Sequence, residues 1–305
     1  MIIQQLAEPE AERRGIRLLL LRDDLAHPEL PGNKWRKLKY NLMEARQQGY
    51  DTLLTFGGAF SNHIAAVAAA GRLQGWRTIG VIRGEETLPL NSTLARVVAE
   101  GMHLRYLDRS TYRRKQEPAF LAELLRETGP AYVIPEGGSN VLALPGCAEL
   151  VTELAAETNF DYLCVACGTG GTLAGLLTAL GQRQAVGVSA LKGGEFLRSD
   201  IDQLTQAATG QTHSSYELRT EYHFGGYAHF SAELLRFIED FEARHGVLLD
   251  PIYTGKLLYG ILDLLRQDYF EAGSTVVAVH TGGLQGWTGF KQRFESRSSW
   301  WPTGI

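Results

Sequence analysis

DYLCVACGTGGTLAGLLTAL, residues 161–180, runs from an apolar segment into a glycine cluster and out into a helical pattern. Residues 162–167 are apolar almost without interruption, as expected of a strand buried on both faces. Gly168, Thr169, Gly170, Gly171 and Thr172 then form a loop, and the leucines beyond it repeat with helical spacing. Outward from this unit the same alternation recurs. GIRLLLLRDD (15–24), DTLLTFGG (51–58), RTIGVIRGE (77–85), HLRYLDR (103–109), AYVIPEGGSN (131–140), AVGVSAL (185–191) and STVVAVHTGG (274–283) read as strands. SNHIAAVAAAGRLQG (61–75), NSTLARVVAEGM (91–102), PAFLAELLRETG (118–129), GCAELVTELAAET (146–158), SAELLRFIEDFEARHG (231–246) and GKLLYGILDLLRQ (255–267) read as helices. Strand–helix alternation predicts an α/β fold, with parallel sheets covered on both faces by helices. Residues 197–230 show the least pattern and are expected to be irregular, mobile loops.

The chain has 305 residues, long for one hydrophobic core, which suggests two lobes. Apolar residues make up 44% and charged residues 21%, an ordinary balance for a globular protein. A net charge of −4 supplies no basic field for nucleic acid. No apolar run approaches the roughly 18 residues of a membrane span, and MIIQQLAEPEAERRG lacks the form of a secretion signal. Three cysteines, Cys147, Cys164 and Cys167, are too few for a disulfide framework and point to a reducing, cytoplasmic setting. Cys164 and Cys167 lie on the predicted strand itself, where buried structural thiols are expected and no metal site is. The tail SRSSWWPTGI (296–305) offers two tryptophans for packing on the larger lobe or on a partner subunit.

The 168–172 loop has the chemistry of a phosphate cup: glycines let backbone amides converge, a helix opens behind them, and threonines add hydroxyls. It is not a P-loop, because no lysine precedes Thr172. Nor is it a dinucleotide fingerprint: the glycine spacing breaks after Gly170, and the next predicted strand ends without an acidic residue. A tight helix-opening turn alone would also require small residues.

Three further segments carry candidate chemistry. In GNKWRKLKYNL (32–42), Lys34 and Lys37 stand one helical turn apart and can face one site. Leu38 and Leu42 mark the core side there, while Arg36 and Lys39 are expected to point to water. In FGGAFSNH (56–63), Ser61, Asn62 and His63 open a helix after a diglycine, so Ser61 or Asn62 can cap it or receive a carboxylate. In HTGG (280–283), His280 reads as structural, and Thr281 offers a neutral hydroxyl at a strand end.

Taken in order, GNKWRKLKYNL, FGGAFSNH, YVIPEGGSN, CGTGGTLAGL, DPIYTGKLLYGI and HTGG resemble a pyridoxal-5′-phosphate enzyme of fold type II, the tryptophan synthase β type. More narrowly they resemble the 1-aminocyclopropane-1-carboxylate deaminase/D-cysteine desulfhydrase family. The resemblance implies a large cofactor-binding domain, 1–43 with 151–305, a small domain, 44–150, and a site in the inter-domain cleft. It implies that Lys34 carries the cofactor covalently, that Lys37 helps bind its phosphate, and that Gly168, Thr169, Gly170, Gly171 and Thr172 hold the rest of it. Asn62 would bond the phenolic oxygen, and Thr281 would sit against the pyridine nitrogen. Ser61, Asn62 and His63 would face the carboxylate of a small amino-acid substrate. Tyr253 matches a family active-site tyrosine, and Tyr227 is the candidate for the second. A homodimer is implied as well.

The implied reaction is elimination or deamination of a small amino acid to a 2-oxo acid and ammonia, with sulfide released from a cysteine-like substrate. Racemisation or β-replacement on the same cofactor, and non-catalytic binding of a phosphorylated metabolite, are the alternatives. Two departures bear on substrate. Family members that open the cyclopropane ring commonly have a glutamate where this chain has Thr254. Phe60, Ile64 and Ala65 replace a family glutamine and a Thr-Arg pair, so the site is expected to be more apolar than in relatives.

Overall fold

The computed structural model describes residues 1–284 and Trp287, apart from Pro28 and Pro31. The tail at 296–305, with its two tryptophans, lies outside the described residues. The chain runs through β1 (Ile3–Gln5), α1 (Pro9–Arg13), β2 (Arg17–Leu21), α2 (Asn33–Gln47), β3 (Thr52–Gly57), α3 (Asn62–Gln74), β4 (Arg77–Arg83) and α4 (Ser92–Ala99). It continues through β5 (Met102–Leu107), α5 (Arg109–Tyr112), α6 (Pro118–Thr128), β6 (Tyr132–Ile134), α7 (Leu144–Glu157), β7 (Tyr162–Cys167) and α8 (Gly171–Leu177). Then come β8 (Gln184–Ser189), α9 (Leu197–Thr209), β9 (Tyr216–Arg219), α10 (Ala232–His245), α11 (Thr254–Arg266) and β10 (Thr275–Val279). Two compact units result: Met1–Lys37 with Asn140–Leu284, and Leu38–Ser139.

The first unit is built on a six-stranded sheet in the order β1-β2-β10-β7-β8-β9. Every pairing is parallel except β1 with β2, where Ile3 faces Leu21 in an antiparallel edge. The apolar run 163–167 is buried throughout, as a strand covered on both faces must be. Leu163 and Val165 of β7 pack with Leu150 and Leu154 of α7, Leu173 and Leu177 of α8, and Val277 and Val279 of β10.

The second unit carries an all-parallel sheet in the order β5-β4-β3-β6. Leu54 and Phe56 of β3 and Val81 of β4 meet Phe120 and Leu124 of α6 in its core. Asn91 caps α4, its side-chain oxygen accepting from the Leu94 amide. In both units the parallel sheets and flanking helices expected from the alternation are present.

The reading of 197–230 as irregular is corrected. α9 occupies Leu197–Thr209 and β9 follows at Tyr216–Arg219. Leu197, Ile201 and Thr205 recur every four residues and are buried, Leu204 packs partly buried against the same core, and the other positions between them are polar. This narrow apolar stripe joins the core against α8, and Gly210 ends the helix in a left-handed conformation. No helix among the described residues is long and apolar enough to cross a membrane.

Candidate active site

The start of α2 and the glycine loop are brought together within the first unit. Asn33, almost fully buried, links them: its Nδ2 donates to Thr172 Oγ1 at 2.9 Å, and its Oδ1 accepts from Lys34 Nζ at 3.0 Å. Lys34 is thereby tied through one amide to the first turn of α8. The chain reaches α2 through Gly32, which adopts φ 66°. A methyl group there would come within 2.1 Å of the Thr281 carbonyl oxygen, so only glycine permits this approach. Thr281, itself buried, therefore lies at the doorstep of the Lys34 helix.

Both lysines are electrostatically unusual. Lys34 retains some solvent-accessible surface, yet crowding around its amine lowers the pKa to about 8, with Cys147 and Asp250 acting weakly in the other direction. Lys37 is 2% exposed, and burial together with the charge of Lys34 lowers it to about 7. The two amines share one field, as their one-turn spacing suggested. A desolvated amine near neutrality is what a nucleophilic lysine requires, and a buried pair of such groups is complemented by an anion.

The third side of the site comes from the turn that leads into α11. The Tyr253 ring lies against the glycine loop: a methyl on Gly168 would meet its Cε1 at 3.0 Å and its hydroxyl oxygen at 3.1 Å. The ring of Tyr227 stands 6.2 Å from that of Tyr253 in an edge-on arrangement. Asp250, 1% exposed, fixes the turn that presents Tyr253. Its Oδ1 accepts from the amides of Ile252 and Tyr253, and its Oδ2 from the amide of Thr254. The Thr254 hydroxyl donates to Asp250 Oδ2 at 2.6 Å and accepts from the Asp250 amide at 2.8 Å. Thr254 is therefore a turn-forming residue with its hydroxyl committed.

Ser61, Asn62 and His63 belong to the second unit, at the C-terminal end of β3. Ser61 is the N-cap of α3, its hydroxyl accepting from the amides of His63 and Ile64. Asn62, half-buried, is the first residue of that helix. His63 turns into the interior of its unit, where its Nε2–H donates to Thr55 Oγ1 at 2.8 Å and the Thr55 hydroxyl donates to the Ile134 carbonyl. Ile64 and Ala65 are buried core residues, whereas Phe60 is half-buried in the loop.

Several groups are invisible to sequence reading or differ from it. Asn33 sits inside a quoted motif, yet nothing in its neighbours signals a bond to Thr172. Arg36 does not point to water: it is 6% exposed, with Nε donating to Asp23 and its terminal nitrogens pairing with Glu153. Burial raises the pKa of Asp23 against the pull of Arg36. The role expected of His280 holds: its Nε2–H donates to the Leu248 carbonyl and its Nδ1 accepts from the Gly282 amide. Cys147, Cys164 and Cys167 are buried free thiols. Burial pushes Cys147 up to about 11 and Cys167 up to about 12, so they are inert as nucleophiles.

Pyridoxal phosphate fits this donor set. A low-pKa amine at Lys34, a second buried amine at Lys37 that an anion would hold protonated, the glycine loop from Gly168 and the Thr172 hydroxyl are the groups an aldehyde bearing a phosphate calls for.

Comparison with known proteins agrees. The family model described as pyridoxal-phosphate dependent enzyme matches residues 4–282. The chain is 36% identical over 283 residues to a Pyrococcus horikoshii protein provisionally named 1-aminocyclopropane-1-carboxylate deaminase, covering 89% of this chain and 86% of that one. It is 32% identical over 296 residues to the bifunctional D-cysteine desulfhydrase/1-aminocyclopropane-1-carboxylate deaminase, mitochondrial, of Arabidopsis thaliana, covering 89% and 73%. A crystal structure of an ACC deaminase homologue superposes with a TM-score of 0.85 at 33% identity, covering 97% of this chain and 93% of that one. Sequence, fold and site chemistry converge, and the chain belongs to the pyridoxal-phosphate-dependent enzyme family.

Proposed function

We propose that this enzyme removes ammonia from a small amino acid by elimination, yielding a 2-oxo acid, and releases sulfide when the substrate is D-cysteine or a close analogue. Bound at Lys34, pyridoxal phosphate supplies a sink for the electron pair left when a bond to the substrate α-carbon breaks. The observation that carries the reading is the Lys34–Asn33–Thr172 chain of hydrogen bonds, which joins a depressed-pKa amine to the phosphate loop.

Lys34 Nζ, freed when the substrate amine takes its place on the cofactor, would take the substrate α-proton. Lys37 and the backbone of Gly168, Thr169, Gly170 and Gly171, with the hydroxyl of Thr172, would hold the phosphate. Thr281 would offer its neutral hydroxyl to the ring nitrogen. By the family resemblance Asn62 would bond the cofactor's phenolic oxygen, and the α3 N-terminus with Ser61, Asn62 and His63 would orient the substrate carboxylate. His63 keeps that turn in place through its bond to Thr55. The hydroxyls of Tyr253 and Tyr227 donate to the leaving group, and Phe60 lends apolar surface to the substrate side.

Elimination from a cysteine-like substrate is favoured over cyclopropane ring opening by one observation. Thr254 stands where ring-opening relatives commonly have glutamate, and its hydroxyl is bonded both ways to Asp250. It therefore contributes neither a carboxylate nor a free hydroxyl. The reading also includes a homodimer, from the family resemblance, and a reducing cytoplasm, which suits three buried unpaired thiols.

The test is a visible absorbance spectrum of the purified protein, followed by a screen of small D- and L-amino acids for 2-oxo acid, ammonia and sulfide. Cofactor absorbance with 2-oxo acid release supports the reading. Conservation of amino acid with inversion of configuration indicates racemisation, exchange of the side-chain substituent indicates β-replacement, and a colourless protein indicates simple binding.

A further inference from the structure

Lys256 lies three residues beyond Tyr253, in the first turn of α11, and is fully buried. Its ammonium donates to three backbone carbonyls: His223 at 2.8 Å, Gly226 at 2.8 Å and Ala190 at 3.3 Å. Three N–H donors thus meet three acceptors. Two of these carbonyls open successive turns of one loop. The Gly226 amide donates to the His223 carbonyl at 3.0 Å, and the His229 amide donates to the Gly226 carbonyl at 3.1 Å. Tyr227 is the first residue inside the second turn.

This loop does not hold its shape by local preference. Phe224 and Ala228 adopt φ of 49° and 57°, left-handed conformations that cost non-glycine residues about 1–2 kcal/mol each. Its carbonyl dipoles also converge, which is unfavourable in a buried setting unless a cation receives them. The third carbonyl, Ala190, directly follows β8, and the Ala190 amide donates to Cys167 at the mouth of the glycine loop. One ammonium therefore joins α11, the end of β8 and the Tyr227 loop.

The arrangement is costly for a merely space-filling role. Burial lowers the Lys256 pKa to about 8, with Asp250 acting in the opposite direction. A methionine would occupy similar volume without desolvating a charge, but it would leave the three carbonyls without their shared donor.

We propose that Lys256 is a positioning residue, whose ammonium clamps the 223–229 loop and so sets the Tyr227 hydroxyl beside Tyr253. The importance of the clamp for turnover rests on the reading of Tyr227 as an active-site group.

The experiment compares wild type, Lys256→Met and Tyr227→Phe as cofactor-loaded proteins. Hydrogen exchange is measured at residues 223–229 and in β7, and kcat and KM are measured on the best eliminated amino acid. Lys256→Met is expected to raise exchange at 223–229 by about tenfold or more, because hydrogen bonds to a charged donor are the strong ones. Exchange in β7 and the cofactor absorbance should remain as in wild type. Its kcat should fall by a factor similar to that of Tyr227→Phe, with a smaller change in KM. In Lys256→Ala, which leaves a cavity where the ammonium stood, ammonium chloride should restore part of kcat where sodium chloride does not. Unchanged exchange at 223–229 in folded Lys256→Met overturns the clamp. Should that variant not fold, Lys256→Gln, which keeps two donors, is read by the same two outcomes. Wild-type kcat in Tyr227→Phe overturns the catalytic reading of Tyr227, and loop exchange alone then decides whether the clamp exists.

Discussion

Asn33 and Thr172 lie 139 positions apart in the chain and are joined by a hydrogen bond of 2.9 Å, while the same Asn33 side chain accepts from Lys34 Nζ. One amide thus sets the distance between the amine that would hold the cofactor and the loop that would hold its phosphate. Replacing Asn33 with leucine removes both bonds at a buried position, where each is worth about 1 kcal/mol. The expected result is several-fold weaker cofactor retention on dialysis, with Lys34 still able to react. Retention equal to wild type would separate Asn33 from the site.

Thr254 closes the Asp250 turn from which Tyr253 is presented. Thr254→Val keeps the shape and loses both hydroxyl bonds, leaving Asp250 Oδ2 one donor short. Thermal or denaturant unfolding should show a loss of about 1–2 kcal/mol, as for other lost caps. The kcat should fall through misplacement of Tyr253. An unchanged midpoint would show that the amides alone hold the turn.

Arg36 bonds Asp23 and Glu153, and Asp23 is almost fully buried. Arg36→Met abandons that carboxylate, so the variant should lose about 3 kcal/mol in denaturant unfolding. Arg36→Met combined with Asp23→Leu removes the stranded charge as well and should recover much of the loss. A double variant no more stable than the single one would contradict the assigned cause.

How far these features can be read from the sequence depends on their range. The buried strands and the helices behind them are legible because apolar runs and helical spacing are local signals. α9 is hard to see because its buried positions, Leu197, Ile201 and Thr205, are sparse among polar residues and end in a threonine. Arg36 misleads for a different reason. A charged residue in a basic run looks solvated until a distant acidic partner is known, and Asp23 and Glu153 come from separate elements. The lysines, the glycine loop and Tyr253 stand out through motif order, whereas Asn33 and Lys256 act through contacts that no spacing rule encodes.

The pH behaviour follows from the depressed amines. Lys34 titrates at about 8 and Lys37 at about 7, both below the ordinary 10.5. In protein stripped of cofactor, Lys37 from about pH 7 and Lys34 from about pH 8, each up to about 10.5, hold fewer protons in the folded state than in the unfolded state. The unfolded state binds more protons there, so these two lysines make stability rise with pH across that window. Covalent capture of added pyridoxal phosphate requires neutral Lys34, so its rate should climb with a midpoint near pH 8. A midpoint near 10.5 would mean that the amine is solvated.

The central claim is that Lys34 carries the cofactor, and borohydride reduction of the purified protein followed by peptide mass analysis tests it directly. The account predicts one reduced phosphopyridoxyl adduct, on the peptide containing Lys34, with none in Lys34→Ala protein that still folds. An unmodified Lys34, or an adduct carried by Lys37 or Lys256 in its place, would contradict it.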